Sequence, residues 1–348
     1  MPFPLSRPQM LLGVAVLLLA IPSAAILAHD VLRPAAPPDT PPAAHVEPFT
    51  YTGPMRWGVE AEGIDDVRAL NLTPAFGMVW AGKWSGDEGW RYVAGVVNRT
   101  HARGVTPLVQ WYYWADDLTR HAIEHGQDGK SRDEWFRYAR ELADLLAREG
   151  GGREAYVVLE TEFNHPEMVD YPYFDDLLAQ QARLFRERAP GVKVVLGFGN
   201  WDPPGWSTFP RAAEASDLLG FQLMRGPGVE GVAETKAAFL AAEEAAREMR
   251  ARFPEKPLFL HDLAITTYGH PDGEAIQAEA LARLLTQEEI DRLKGFGVTG
   301  IAYRHVRDFP GAPPGYYGEG ERHFGLKRAD GTPKPAWSVW VQAMREKS

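Results

Sequence analysis

Short apolar runs alternate along the chain with longer stretches of helical period. The runs Arg56–Glu60, Ala75–Trp80, Thr106–Trp111, Tyr156–Glu162, Lys193–Phe198, Leu218–Leu223, Leu258–Asp262 and Gly300–Arg304 are bounded by Gly and Pro and read as buried strands. Between them lie amphipathic stretches, clearest in Glu134–Glu149 and Tyr173–Arg188. Val232–Phe253 and Ala275–Lys294 complete the set, and Val67–Leu70 is short for a first helix. Gly104, Gly152, Gly191, Pro257 and Gly297 punctuate the helix-to-strand junctions. Repeated β-then-α units with buried strands imply a parallel sheet. Eight of them predict an α/β chain folded as a (β/α)8 TIM barrel, single domain, since such barrels typically run to about 250 residues. No GxGxxG follows the first strand, so a dinucleotide-binding sheet has no support.

The N-terminal pattern differs. Met1–Gln9 holds one Arg and no acid, and Met10–Ile21 is uninterrupted apolar residues and glycine ahead of Pro22. Ser23-Ala24-Ala25 and Ala28 offer small-residue cleavage sites. Residues 1–28 therefore read as a signal peptide or an uncleaved signal anchor, 29–50 as a Pro-rich linker and 51–348 as the barrel. Both readings of the leader place the barrel outside the cytoplasm, secreted or periplasmic, with membrane contact only through an uncleaved anchor. Composition then narrows the chemistry. A net charge of −10 argues against a nucleic-acid partner. The absence of cysteine excludes disulfides, thiolate metal sites and cysteine nucleophiles.

In a TIM barrel the chemistry sits where strands end and loops begin. Those positions here carry Glu60; Trp80; Gln110, Tyr112 and Trp114; Glu160, Glu162 and Asn164; Asn200 and Trp201; Gln222; His261 and Asp262; Tyr303 and Arg304. Carboxylates, amides and indoles converging on one rim suit a sugar, whose hydroxyls take polar partners and whose C–H faces stack on rings. Strand alternation places Glu160, Glu162 and Asn164 on one face, and Tyr112 and Trp114 with Gln110. The run Trp111–Trp114 is either a stacking platform or rim packing. Glu60 binds hydroxyls or pairs with Arg304. His261, His305 and His323 are not spaced as a metal set, and no HExxH, EF-hand loop or Gly-x-Ser-x-Gly elbow occurs, so no metal and no cofactor is expected. The Gly- and Pro-rich segment Arg307–Glu321 borders the cleft or forms an exposed Ω-loop. Asn71-Leu72-Thr73 and Asn98-Arg99-Thr100 fit the glycosylation triplet.

Acids ending strands four and seven supply what glycoside cleavage needs, a protonated acid and a second carboxylate. Here the chain resembles the clan A glycoside hydrolases, the 4/7 superfamily, and more loosely their β-mannanase-like and β-xylosidase-like branches. The resemblance runs as pattern from about Arg56 to Met344. Leu159-Glu160-Thr161-Glu162-Phe163 is similar to the clan's strand-four motif, which implies Glu162 as acid/base. Pro257-Leu258-Phe259-Leu260-His261-Asp262 is similar to its strand-seven motif, which implies Asp262 as nucleophile. The stretch from Phe324-Gly325-Leu326 through Asp330-Gly331-Thr332-Pro333-Lys334-Pro335-Ala336 resembles a clan ending that packs the last helix. Two departures stand out: Asp262 replaces the usual Glu, and Thr161 stands where Asn is common, leaving Asn164 or Asn200 to take that part. The expected function is an extracytoplasmic glycosidase acting on a poly- or oligosaccharide. The alternatives are a catalytically inactive glycan-binding barrel involved in polysaccharide export or handling, and a barrel lyase or isomerase.

Overall fold

The computed structural model describes residues 48–83, 86–199, 208–312 and 315–346. The leader and nearly all of the linker expected at the N-terminus lie outside the described residues, as do Asn200 and Trp201. Eight strands, β1 (Arg56–Glu60), β2 (Phe76–Ala81), β3 (Thr106–Trp111), β4 (Ala155–Leu159), β5 (Val192–Phe198), β6 (Leu218–Arg225), β7 (Leu258–Ile265) and β8 (Val298–Tyr303), pair in sequence order into a closed parallel barrel. β8 returns to β1 through the pairs Arg56 with Gly300 and Gly58 with Ala302. The single-domain (β/α)8 barrel read from the sequence is the observed fold.

The helices are α1 (Ile64–Arg68), α2 (Gly86–Ala102), α3 (Arg120–His125), α4 (Arg132–Gly150), α5 (Pro166–Val169), α6 (Pro172–Arg188), α7 (Pro210–Ala215), α8 (Val232–Lys236), α9 (Ala238–Arg252), α10 (Gly273–Leu284), α11 (Gln287–Gly295) and α12 (Pro335–Glu346). Local chemistry sets their ends. Ser131 caps α4 by accepting from Glu134 N, acids fill its first turn, and Gly151 closes it at φ 58°. Two stretches read as single helices are each divided. One breaks at Ala237. The other breaks at Leu285, where Thr286 caps a new helix by accepting from Glu289 N. Among the described residues no helix is long and apolar enough to cross a membrane.

Alternation sorts each strand into two faces. Phe76, Met78, Leu108, Tyr156, Val158, Val195, Leu218, Phe259 and Ala302 fill the lumen, while the opposite positions pack on the helices. At the N-terminal end Arg56 lies 4.3 Å over the Phe76 ring and donates to Tyr156 Oη, so this end is plugged by a cation on aromatic rings. Large lumen residues need small ones opposite. A Cβ at Gly220 would come within 2.6 Å of His261 Cδ2 and 2.7 Å of Val195 Cγ1. Gly220→Ala should therefore cost about 1–3 kcal/mol through overpacking, read as a lower urea midpoint at unchanged m-value.

Candidate active site

The decisive local structure is the exit of β4. The strand stops at Leu159, earlier than alternation alone suggests, because Glu160 and Glu162 take left-handed backbone at φ 37° and 67°. Such conformations are costly for residues with a Cβ and gather at functional turns. They also undo the expected common face. Glu160 turns away from the lumen: its carboxylate accepts from Trp135 Nε1 on α4 and, at 3.3 Å each, from the amides of Tyr113 and Trp114. Burial lifts its pKa to about 8 against those donors. Thr161 faces inward instead, Phe163 enters the aromatic packing under the helices, and Asn164 is locked to Gly199 through both its amide oxygen and nitrogen. Glu162 is half-buried, and its charge reaches Arg304.

Gln110 builds the floor beneath. Its Nε2 donates to the carbonyl of His261 across the barrel, at 3.0 Å, and its Oε1 accepts from Thr161 Oγ1 at 2.9 Å. One side chain thus ties the residue before Glu162 to the residue before Asp262. β7 carries a bulge here: Leu260 pairs with Phe221 but Asp262 with Gln222, leaving His261 as the extra residue. The bulge lets consecutive residues both face inward. His261 is fully buried beside Gly197 and Gly220, with its pKa pushed down to about 4 by burial, so the ring is neutral. Asp262 lies above it.

Asp262 is fully buried under a guanidinium. Arg304, at the end of β8, donates from Nε to Oδ1 at 3.0 Å and to Oδ2 at 3.1 Å, and its Nη2 also donates to Oδ2. Gln222 Nε2 adds a 3.0 Å bond to Oδ2. Burial alone would raise the Asp262 pKa, but the Arg304 charge and its hydrogen bonds prevail and hold the carboxyl below its ordinary range. Glu321, from the segment after β8, approaches Arg304 Nη1 at 3.7 Å. Arg304 therefore carries the influence of three acids, Asp262, Glu162 and Glu321. Its guanidinium also lies 5.1 Å over Trp80, whose ring meets Tyr112 edge-on at 5.8 Å. Trp80 and Tyr112, both half-buried, make an aromatic shelf beside the acids.

Other sequence candidates separate from this group. Trp114 does not share the cleft face with Gln110. β3 ends at Trp111 and the chain turns helical by Trp114, which is buried on Tyr113 and Trp135 outside the barrel wall. Tyr303 faces outward as well, packed on Trp340 with its hydroxyl 3.0 Å from the Phe324 carbonyl. Glu60 pairs with His305 Nδ1 at 2.7 Å and accepts from Val306 N, rather than pairing with Arg304. Sequence reasoning gave no site role to Thr161, His261 or Glu321. Thr161 had a signal, lying between two acids at a strand end, whereas the bulge and the folded-back segment after β8 had none. Among the described residues no group of three ligands is placed to hold a metal.

Known structures share this architecture. A GH5_18 protein from Streptomyces cattleya, solved in complex with Manb1-4GlcNAc, aligns with a TM-score of 0.61 at 17% identity over 84% of this chain and 80% of that one. An exo-β-1,4-mannosidase from Opitutaceae bacterium strain TAV5 aligns with a TM-score of 0.61 at 14% identity, over 86% of this chain and 61% of that one. A monomeric β-xylosidase from Caulobacter crescentus CB15 gives a TM-score of 0.58 at 16% identity, over 86% and 70%. These proteins share the (β/α)8 barrel fold with this chain. No family model and no curated protein matches the chain.

The two buried carboxylates predict opposite behaviour. Asp262→Asn leaves Arg304 buried without its counter-charge and should destabilise the fold by about 3–5 kcal/mol, measured by urea denaturation at neutral pH. Glu160 has a folded pKa above its unfolded value, so its contribution is complete below pH 4.5 and is lost as pH rises through about 8. In Glu160→Gln, stability relative to wild type should rise between pH 4.5 and 8, by roughly 4–5 kcal/mol across the interval. A difference independent of pH would contradict this assignment.

Proposed function

We propose that the chain is an extracytoplasmic glycoside hydrolase that cleaves an O-glycosidic bond in a poly- or oligosaccharide. One observation carries the reading: at the C-terminal mouth of the barrel, Asp262 and Glu162 act on the same guanidinium, beside an indole and a phenol ring. Cleavage needs a proton for the leaving oxygen and a carboxylate that stays ionised. Glu162 is half-buried at the β4 exit, where its charge reaches Arg304, which suits the acid/base. Asp262, held ionised by Arg304, suits either direct attack on the anomeric carbon or activation of a water. Trp80 and Tyr112 supply ring faces for sugar C–H groups. The mannosidase and xylosidase names among the structural neighbours favour a β-linked substrate. The apolar run Met10–Ile21 with its small-residue sites supports export from the cytoplasm.

The closure of Asp262 beneath Arg304 and Gln222 favours a second reading, a barrel that binds glycans without cutting them. Glu162→Gln separates the two. For a general acid, turnover of oligosaccharides and alkyl glycosides should fall by about 10²–10⁴. Dinitrophenyl glycosides, whose leaving group needs no proton, should be much less affected. Equal loss on both substrate types would remove Glu162 from the acid role. A wild-type protein that binds the oligosaccharides and releases no product establishes the second reading. The stereochemistry of the first-formed product, followed by NMR, distinguishes attack by Asp262 from attack by water.

A further inference from the structure

We infer that the loops after β6, β7 and β8 form an outer glycan-binding surface that continues the barrel mouth and takes the extended chain of a polysaccharide. The inference rests on the reading of the mouth as a sugar site and extends it to substrate length.

Large apolar side chains exposed on the described surface fall into two groups. Tyr92, Tyr173 and Leu240 are scattered singly over the outer helices α2, α6 and α9. Val229, Tyr268, Phe309 and Tyr316, between 46% and 68% exposed, all lie on the three consecutive loops that leave β6, β7 and β8 at the catalytic end. Scattered residues of the first kind need no explanation, whereas a cluster does.

The three loops are knitted into one support. Gly228 and Gly269 meet backbone to backbone, since a Cβ on Gly269 would fall 2.5 Å from Gly228 Cα. Tyr317 Oη donates to Glu230 Oε1 at 2.6 Å, Thr266 Oγ1 to the Gly320 carbonyl at 2.8 Å, and Thr267 N to the His323 carbonyl at 3.1 Å. On this support Tyr268 stacks on His323 at 5.5 Å and 18°. A second set of rings, buried beneath the loops, ties this support to Arg304. Tyr316 meets Tyr317 at 5.2 Å, Tyr317 meets Phe324 at 5.4 Å, and the Arg304 guanidinium lies 5.7 Å from Phe324. The exposed Tyr316 is thus anchored, through the buried rings of Tyr317 and Phe324, to the residue that holds Asp262.

The chemistry selects the occupant. Aromatic faces set among the carboxylates of Glu230, Glu319 and Glu321 match the C–H faces and hydroxyls of a sugar chain. The core of a protein interface is depleted in such charges. Anionic lipid headgroups would be repelled by them and by the net charge of −10. A ligand confined to the mouth would leave these rings uncontacted, so the ligand they serve extends beyond it.

The test is affinity electrophoresis of the full chain in gels carrying galactomannan, arabinoxylan, hydroxyethylcellulose or glycol chitin. Wild type should be retarded by at least one polymer. The double variant Tyr268→Ala/Tyr316→Ala, checked for an unchanged thermal midpoint, should bind that polymer about tenfold more weakly. Tyr173→Ala on the outer helix should bind it as wild type does. Retardation unchanged in the double variant overturns the proposal, as does a wild type retarded by none of the four or one that sediments with phosphatidylglycerol vesicles instead. Turnover of nitrophenyl glycosides by wild type reads the mouth separately. A protein that binds polymer through the rim but releases no nitrophenol retains this surface and loses the glycosidase reading.

Discussion

A single amide crossing the barrel from β3 to β7 sets the level at which hydrocarbon gives way to chemistry. Below Gln110 the lumen is Phe, Val, Leu and Tyr closed by Arg56; above it are Thr161, Asp262 and Arg304. Both polar ends of Gln110 are used inside the barrel, where an unmet amide would be costly. The bonds go to the neighbours of the two acids, so the height of β4 relative to β7 is fixed where it matters. The left-handed residues at the β4 exit and the bulge in β7 accommodate that fixed height, one by redirecting a chain end and the other by adding a residue.

Electrostatics divides the acids into distinct environments. Glu160 and Glu162 are two residues apart, yet the turn between them sends one behind the wall among tryptophans and leaves the other half-buried with its charge felt at the mouth. Asp262 is buried as deeply as Glu160 but stays ionised, because it is hydrogen-bonded by a guanidinium, whereas the donors bonded to Glu160 are neutral and the Lys130 charge only partly offsets its burial. Burial depth alone therefore does not decide the protonation state here; the partner does. Arg304 is the common term, since it is bonded to one acid, near a second and stacked over Trp80.

The barrel was legible because its signal is periodic and repeated: six of the eight expected strands match the observed ones to within two residues at each end, β7 runs three residues further, and β4, which stops three residues short, shows why local rules fail at sites. Alternation assumes extended backbone, and two left-handed residues after Leu159 break that assumption, so Glu160 went to the wrong face while Glu162 stayed at the rim. The same failure misplaced Trp114, three residues past the end of β3. Asp262 was expected at a strand end, whereas β7 runs on to Ile265, and the bulge that turns Asp262 inward depends on pairing with β6, which no local pattern encodes. Arg304 was legible as a polar rim residue. Its pairing with Asp262 rather than Glu60 depends on the choice His305 makes, a contact spanning nearly the whole barrel sequence.

The plug at the opposite end has its own consequence. With Arg56 seated on Phe76 and bonded to Tyr156, the lower end of the barrel is closed by contacts that involve none of the loops after the strands. Those loops can then accumulate insertions, deletions and replacements without reopening the cylinder. Such a molecule is a natural parent for loop-shuffled libraries, in which selection for new ligands would act on the upper face while the scaffold's folding remains largely unaltered.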